Sequence, residues 1–467
     1  MLEQARKRPS DHGPTAELID HVRTMAFEEL PAATIDRSVD LVLDHVGVAL
    51  YGATFEWSRI AQHLVESERC APEATIYGGG CTSIRNAAMA NGVAGHAIEL
   101  DDTHDESLTH PGCVIIPTAL AVAEFMNASG GDCLTAIIAG YDAQCRIGAV
   151  VGRSLVATGL HPTAQLGTFG ATVASARLLS LTERQFHNAL GLAASMTSGI
   201  MKFTEDPDST MVKRLHAGLP AERGILAARL ALEGFDGPSG VIEGRYGYAN
   251  TFARIDDLSR MTLGLGKQYE VERCSIKLYP CCRMFHSLIE AVTDCRQNED
   301  FDADQIQEIA TFGPSNMVDG HMIYRPKSVL AAQYSLPFTV AVATIADPSQ
   351  PESFNSAAME RSDLLSLSDK VRSTIDPELQ ALYPEKFPSR VEFRMQNGSV
   401  IVRQVLDSLS TPARPIKRDH VVEKFKSVTA SVLKSDRQEQ ILGTICSLPD
   451  LPSIRTLTDL LGDDGRH

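Results

Sequence analysis

Apolar residues recur at three- and four-residue intervals through ELIDHVRTMAFEEL and ATIDRSVDLVLDHVGVALYGA near the start of the chain. A helix that buries one face requires this spacing, and Pro31 separates the two segments. From Thr15 to about residue 270 the pattern continues as helix after helix. PEATIYGGGCT at 72–82 predicts a short extended piece and a glycine turn. LTAIIAGYDAQCRIGAVVGRSL predicts a long helix of small residues suited to the middle of a bundle, with Tyr141, Asp142 and Arg146 as its few polar handles. Near residue 270 the texture changes. SIKLYPCCRMFHSLIEAVTDC begins extended, breaks at Pro280 and becomes a helix with Arg283 and His286 in its first turns. DQIQEIATFGPS predicts a strand, and VEFRMQNGSVIVRQVL predicts a hairpin turning at Asn397-Gly398. Between them VLAAQYSLPFTVAVATIA predicts an apolar helix interrupted at Pro337 and carrying Tyr334. HVVEKFKSVTASVL and RQEQILGTICSL return to helix and are expected to pack back on the first segments. The expectation is a mainly α protein with a smaller α+β domain. Residues 1–14 form a disordered tail, 15–268 the first part of a helical domain, 269–408 the α+β domain, and 409–467 the return to the helical domain.

Three polar interruptions break this apolar chain. HAIELDDTHDESLTHP, residues 96–111, packs three histidines and five carboxylates into sixteen positions between two apolar helical segments. Burying charge is costly unless partners, a metal or a ligand compensate it, so this stretch is a candidate site. A solvated helix connection capped by Asp101 or Thr103 is the competing reading. The second interruption is Gly159 to Thr163, where Pro162 suits a first helical turn and His161 a structural cap. The third runs from an acidic loop, Glu205 to Ser209, into Lys213, Arg214 and His216 ahead of an Ala/Leu helix. Helix starts present unpaired N–H groups and a favourable dipole, so cations there strengthen an anion site. Ordinary helix-surface charge is the alternative. Lys277, Arg283 and His286 form a second cationic group.

Composition narrows the classes. The chain has 467 residues, 43% hydrophobic, with a net charge of −16. That is ample for a core, and no basic run exists to bind nucleic acid or an anionic membrane. No apolar run reaches the ~18 residues of a membrane span and the first residues show no apolar signal core, so a cytoplasmic protein is expected. The ten cysteines lack disulfide or paired zinc spacing. Cys274, Cys281 and Cys282 read as buried small hydrophobes.

One chemical argument joins the groups. His110 and His286 can transfer protons near neutral pH. Lys213, Arg214 and Lys277 can hold carboxylates and stabilise charge developing beside them. Breaking a bond α or β to a carboxylate by dehydration, decarboxylation or epimerisation needs such equipment and no organic cofactor. The residues alone leave the choice among these open. DDTHD at 101–105 also fits a magnesium-binding DDxxD pattern, with His104 as a further ligand type, which would suit a diphosphate enzyme. No second magnesium motif accompanies it, and only 6% of the chain is aromatic. A non-catalytic carboxylate-binding dimer is the remaining class.

HAIELDDTHDESLTHPGCVIIPTALAVAE, HPT at 161–163, VKRLHAG at 212–218 and KLYPCCRMFH at 277–286 together resemble the MmgE/PrpD family, which includes 2-methylcitrate dehydratase, cis-aconitate decarboxylase and iminodisuccinate epimerase. The resemblance spans residues 15 to 450. It implies a helical domain built from both chain ends, an inserted α+β lid, a homodimer and a cleft site without cofactor or metal. Carried over, it implies catalytic positions at Thr103, His110, Lys213, His286 and Tyr334. Glu99 stands where the family often has aspartate, followed by Asp101 and Asp102, and the loop before His110 is one residue longer than in the animal decarboxylase. Glu99, Asp102, His161, Arg214, Lys277 and Arg283 complete the expected set as substrate-binding groups. The expected function is a cofactor-independent lyase acting on a small di- or tricarboxylate, with epimerisation of an amino-dicarboxylate as the alternative. Lys213 and His286 are expected to meet across the cleft around the polyanion.

Overall fold

The computed structural model describes residues 12–205, 211–298 and 302–462. Residues 1–11 of the expected tail and 206–209 of the expected acidic loop lie outside the described residues. Helix Pro14–Thr24 starts with proline in its first turn, where the missing N–H costs nothing.

Helices dominate, and the chain ends share one core. Leu18, Val46, Ile115, Ile138, Phe169 and Ile225 pack in the same cluster as Val421, Phe425, Ile441 and Leu457. Helices Arg418–Thr429 and Ser435–Cys446 both lie against Ala32–Gly52. The central helices Gly112–Met126, Gly130–Ala157 and Pro162–Leu178 are buried on nearly every face. That is why their sequences read as apolar all round rather than amphipathic. The glycine turn is a two-strand ladder pairing Ala74–Thr75 with Cys81–Thr82.

A second core gathers Phe285, Leu288, Val292, Ile309, Phe338 and Phe393. Its sheet orders Val371–Ile375, Ile306–Gly313, Ser389–Met395 and Val400–Val405 side by side; the first pair is parallel and the others antiparallel. The hairpin turns at Asn397-Gly398, where Gly398 has φ 86°. Strand Val371–Ile375 is absent from the sequence reading. Only its Val371 is buried, so an edge strand of this kind leaves no alternating signal.

Two boundaries move. The helix expected to carry Arg283 begins at His286, after a single 3-10 turn Arg283–Phe285. The apolar helix breaks at Tyr334 and Ser335, not at Pro337. Ser335 caps Leu336–Ile345 by accepting from Phe338 N–H at 3.0 Å, and Pro337 sits in that helix's first turn. Tyr334 therefore projects from a junction between Val329–Gln333 and Leu336–Ile345.

Helices Ile84–Gly95 and Val212–Leu232 carry the charged stretch and the basic cluster, and they meet through glycine. A Cβ on Gly92 would stand 3.0 Å from Gly218 Cα, and one on Gly218 would stand 2.5 Å from the Met89 carbonyl. Backbone cannot yield as a flexible side chain does. Gly218→Ala is expected to force these helices apart and cost about 1–3 kcal/mol. Chemical denaturation of the purified variant checks this; an unchanged midpoint would show that the contact relaxes freely.

Candidate active site

The stretch 96–111 joins Ile84–Gly95 to Gly112–Met126, and it is buried. Glu99, Asp101, Asp102 and His104 are each at most 3% exposed, so the solvated-connection reading fails. The helix cap is neither Asp101 nor Thr103. Asp102 Oδ1 accepts from Gly112 N–H at 2.9 Å, and its Oδ2 accepts from the Tyr141 hydroxyl at 2.9 Å. Both oxygens of Asp102 thereby accept hydrogen bonds from the protein itself. Burial, then Asp101 and Asp44, push its carboxyl up to about 7.

Glu99 is the hub. It lies 1% exposed at φ 55°, a left-handed conformation uncommon for a residue with a side chain. Its Oε1 accepts from Lys213 Nζ and, at 2.7 Å, from Arg214 Nη1. Its Oε2 lies 3.4 Å from Lys277 Nζ and 3.4 Å from the Tyr334 hydroxyl. Burial pushes the Glu99 carboxyl up, but Lys213, Lys277 and Arg214 together outweigh it and hold the group well below the usual range. Burial and the neighbouring cations lower Lys213 in turn, against the opposing pull of Glu99. The surface-charge reading of Lys213 and Arg214 is excluded by their burial. Lys277 is aimed by a short ladder that pairs Thr103 with Ser275 and His104 with Cys274. Two residues beyond that pairing, its Nζ also donates to the Glu99 carbonyl at 3.2 Å.

The histidines separate into groups. His110 is tied by its backbone N–H to Thr163 Oγ1 at 3.0 Å, which joins the first and second interruptions. His161 is the N-cap residue of Pro162–Leu178 but makes no side-chain cap bond. Its Nδ1 lies 3.0 Å from His216 Nδ1. Burial lowers both rings, His216 to about 4 and His161 well below its usual value, so one neutral ring donates to the other. His286 stands apart: its ring packs edge-on against Tyr279 at 5.2 Å and its Nε2 is buried without a partner. Burial, then Arg283, Lys277 and Lys424, hold it well below the usual histidine range. Among the described residues Lys213 and His286 share no hydrogen bond or ring contact. Lys213 crosses instead to Tyr334, donating to its hydroxyl at 2.8 Å. Lys277 is a charged neighbour of both Lys213 and His286.

A cavity of about 160 Å³ opens over this cluster, and its walls include Glu99, Thr103, His110, Lys277, Arg283 and Tyr334. Arg283 is held by Asp105 at 3.2 Å and Ser408 at 2.9 Å. Lys213, Arg214, Asp102, His161 and His286 lie outside that wall. Cys282 and Tyr334 also border a larger cavity of about 750 Å³ lined by Phe203, Ile323 and Leu330. The DDxxD aspartates are not gathered for magnesium: Asp102 faces Tyr141, Asp105 faces Arg283, and His104 bonds Glu270 at 3.0 Å. Among the described residues no cysteine stands in a group spaced to hold a metal ion, and Cys274, Cys281 and Cys282 are buried. Sequence reasoning gave His96 no role and read Asp101 only as a cap or a magnesium ligand, although His96 opens the charged stretch and could have been noticed there.

A helical body and a smaller α+β body meet at a buried site of cations, a carboxylate and imidazoles. Residues 16–261 match the MmgE/PrpD N-terminal domain and residues 279–448 the MmgE/PrpD C-terminal domain. The chain belongs to the MmgE/PrpD family. It is similar to cis-aconitate decarboxylase of Aspergillus terreus, 27% identical over 99% of this chain and 98% of that protein. A cis-aconitate decarboxylase-like protein oryM of Aspergillus oryzae is 26% identical over 96% of this chain and 97% of its own. Cis-aconitate decarboxylase of Homo sapiens is 25% identical over 91% of this chain and 90% of its own. No helix among the described residues is long and apolar enough to cross a membrane.

Glu99→Gln would leave three buried cations facing a neutral amide. It is expected to destabilise the fold by about 3–5 kcal/mol, as removal of one partner of a buried pair does. Urea unfolding checks this, and a loss under about 1 kcal/mol would mean that water compensates the cations. Asp102 makes a pH prediction. Its native-state value of about 7 lies above the ordinary 3.8, so the folded state holds the proton more tightly. Its stabilising contribution is complete below 3.8 and is lost as pH rises through about 7. Asp102→Asn should flatten the decline in Tm across that window in a thermal-shift series; parallel curves for parent and variant would refute the assignment.

Proposed function

We propose that this protein is a lyase acting on a small di- or tricarboxylate, with decarboxylation of cis-aconitate the first reaction to assay and dehydration of 2-methylcitrate the second. The observation that carries the reading is the cavity where His110, Thr103 and Tyr334 face Lys277 and Arg283 above the cluster centred on Glu99. Three cations surround the single carboxylate of Glu99, and this excess of positive charge suits a polyanion. Full-length similarity to proteins named cis-aconitate decarboxylase supports decarboxylation over epimerisation.

In this reading Lys277 and Arg283 seat carboxylates and His110 exchanges a proton at the reacting carbon. When the C–C bond to the departing carboxylate breaks, CO2 leaves and its electron pair spreads into the remaining unsaturated acid. Donors already fixed in place, Lys277 and the Tyr334 hydroxyl, stabilise that charge without reorganising. A proton on the carbon completes the product. The body carrying Tyr334 closes on the body carrying Lys213, which keeps water from the carbanion-like state.

Purified protein incubated with cis-aconitate, 2-methylcitrate and iminodisuccinate, followed by NMR, is expected to show turnover of one of the first two. His110→Gln should lower kcat by ~10²–10⁴-fold, whereas Arg283→Gln should act mainly by raising KM. Tight binding measured by calorimetry with no turnover of any acid would replace the enzyme with a carboxylate-binding protein.

A further inference from the structure

The reading of His110 as a proton-transfer group leaves two buried neighbours without a role. Asp101 Oδ2 lies 2.7 Å from His96 Nδ1 and 3.2 Å from His110 Nδ1. The two imidazoles meet edge to face, 4.9 Å between centroids. Asp101 and His96 are both essentially without solvent contact, at 1% and 0% exposure. Burial pushes the Asp101 carboxyl up, but His96 and His110 outweigh it and hold it well below the usual range. Burial lowers His96 to about 4, so near neutral pH it is a neutral ring.

Tautomers follow from the partners. Two groups reach His110 Nδ1: the Asp101 carboxylate at 3.2 Å and the Asp102 backbone carbonyl at 3.1 Å. Both can only accept, so the proton of a neutral His110 sits on Nδ1. Its Nε2 makes no hydrogen bond among the described residues, and the residue lines the cavity. The same rule puts the His96 proton on Nδ1, donated to Asp101, and leaves its Nε2 bare, buried and unpartnered. His96 is therefore a donor that steadies Asp101.

We propose that Asp101, backed by His96 and acting with the Asp102 backbone carbonyl, is the positioning residue that holds His110 as the Nδ1–H tautomer and presents Nε2 to the substrate. The proposal rests on His110 being the proton-transfer group of the reading above. During the reaction Nε2 takes up or releases the proton, Nδ1 keeps its own, and Asp101 stays ionised beside the transient imidazolium. The other charged or titratable groups around His110 are His161 across the helix start, Cys113, whose Sγ donates to the His110 carbonyl, and Glu99, His104, Asp105, Lys277, Cys282, Arg283 and Tyr334 in the cavity wall. None of these is bonded to its Nδ1. An aspartate that holds a histidine's tautomer by its second nitrogen is a known device for making the first nitrogen a competent base.

The test uses histidine side-chain 15N NMR of the full-length protein together with kinetics. The parent is expected to show His110 with Nδ1 protonated and Nε2 bare; the opposite tautomer would overturn the proposal, with no variant required. Asp101→Asn, whose amide N–H can donate to a bare Nδ1 in competition with the Asp102 carbonyl, should admit the second tautomer and lower kcat by ~10²–10⁴-fold with little change in KM. It should also move the acid limb of the kcat/KM profile to lower pH, because an imidazolium there loses its counter-charge. His96→Gln, which keeps a donor to Asp101, should retain most of the activity. A folded Asp101→Asn variant with the parent tautomer and pH profile would sink the proposal. If His110→Gln turns over normally, the catalytic reading fails while the tautomer result stands, so the two failures are separable.

Discussion

A carboxylate buried among three cations governs the arrangement of this site. Glu99 is supplied by a loop in a left-handed backbone conformation, Lys213 and Arg214 by the first turn of Val212–Leu232, and Lys277 by the segment that leads into the second core. Desolvating four charges costs more than a surface pair ever returns, and such clusters contribute little net stability for the effort of burying them. Their presence is explained by what they hold. Glu99 keeps cations together that would otherwise repel, and the surplus positive charge stays available beside the cavity.

The same contacts join the two bodies. Gln333 donates to the Ile98 carbonyl at 2.7 Å, Tyr334 bonds Lys213, and Arg214 reaches Gln333 at 3.2 Å. The junction between the helices Val329–Gln333 and Leu336–Ile345 is therefore what the charged stretch docks against. A helix running straight through residue 334 would carry the tyrosine elsewhere. The break set by Ser335 and Pro337 turns a local capping preference into the contact between Tyr334 and Lys213.

Burial sorts the titratable groups by role. Asp102, pinned by Tyr141 and Gly112, is pushed upward, whereas Asp101, one residue earlier and facing two imidazoles, is held down. Adjacent carboxylates with opposite shifts are a common outcome when one faces donors that can carry charge and the other neutral hydrogen-bond donors. The pattern separates an acid bonded to Tyr141 and Gly112 from one that faces His96 and His110.

Much of this was legible in the chain. Helix periodicity, the Asn397-Gly398 hairpin and the conjunction of acids and histidines at 96–111 are local, since they follow from side-chain spacing and turn chemistry over a few residues. The four motifs were enough to indicate the family. Partner choice was not local. Which partners Asp102 and Asp101 took depended on Tyr141, 39 positions from Asp102, and on His96. The pairing of Lys213 with Tyr334, 121 positions apart in sequence, and not with His286, depended on how the two cores come to rest against each other. The edge strand Val371–Ile375 had too little buried surface to mark itself. The sequence alone determined the elements, the class of scaffold and the inventory of charged groups, because those are set by local propensity and composition. The tertiary structure alone decided which carboxylate neutralises which cation and which groups reach His110 Nδ1, because hydrogen-bond partners are fixed by packing between distant segments.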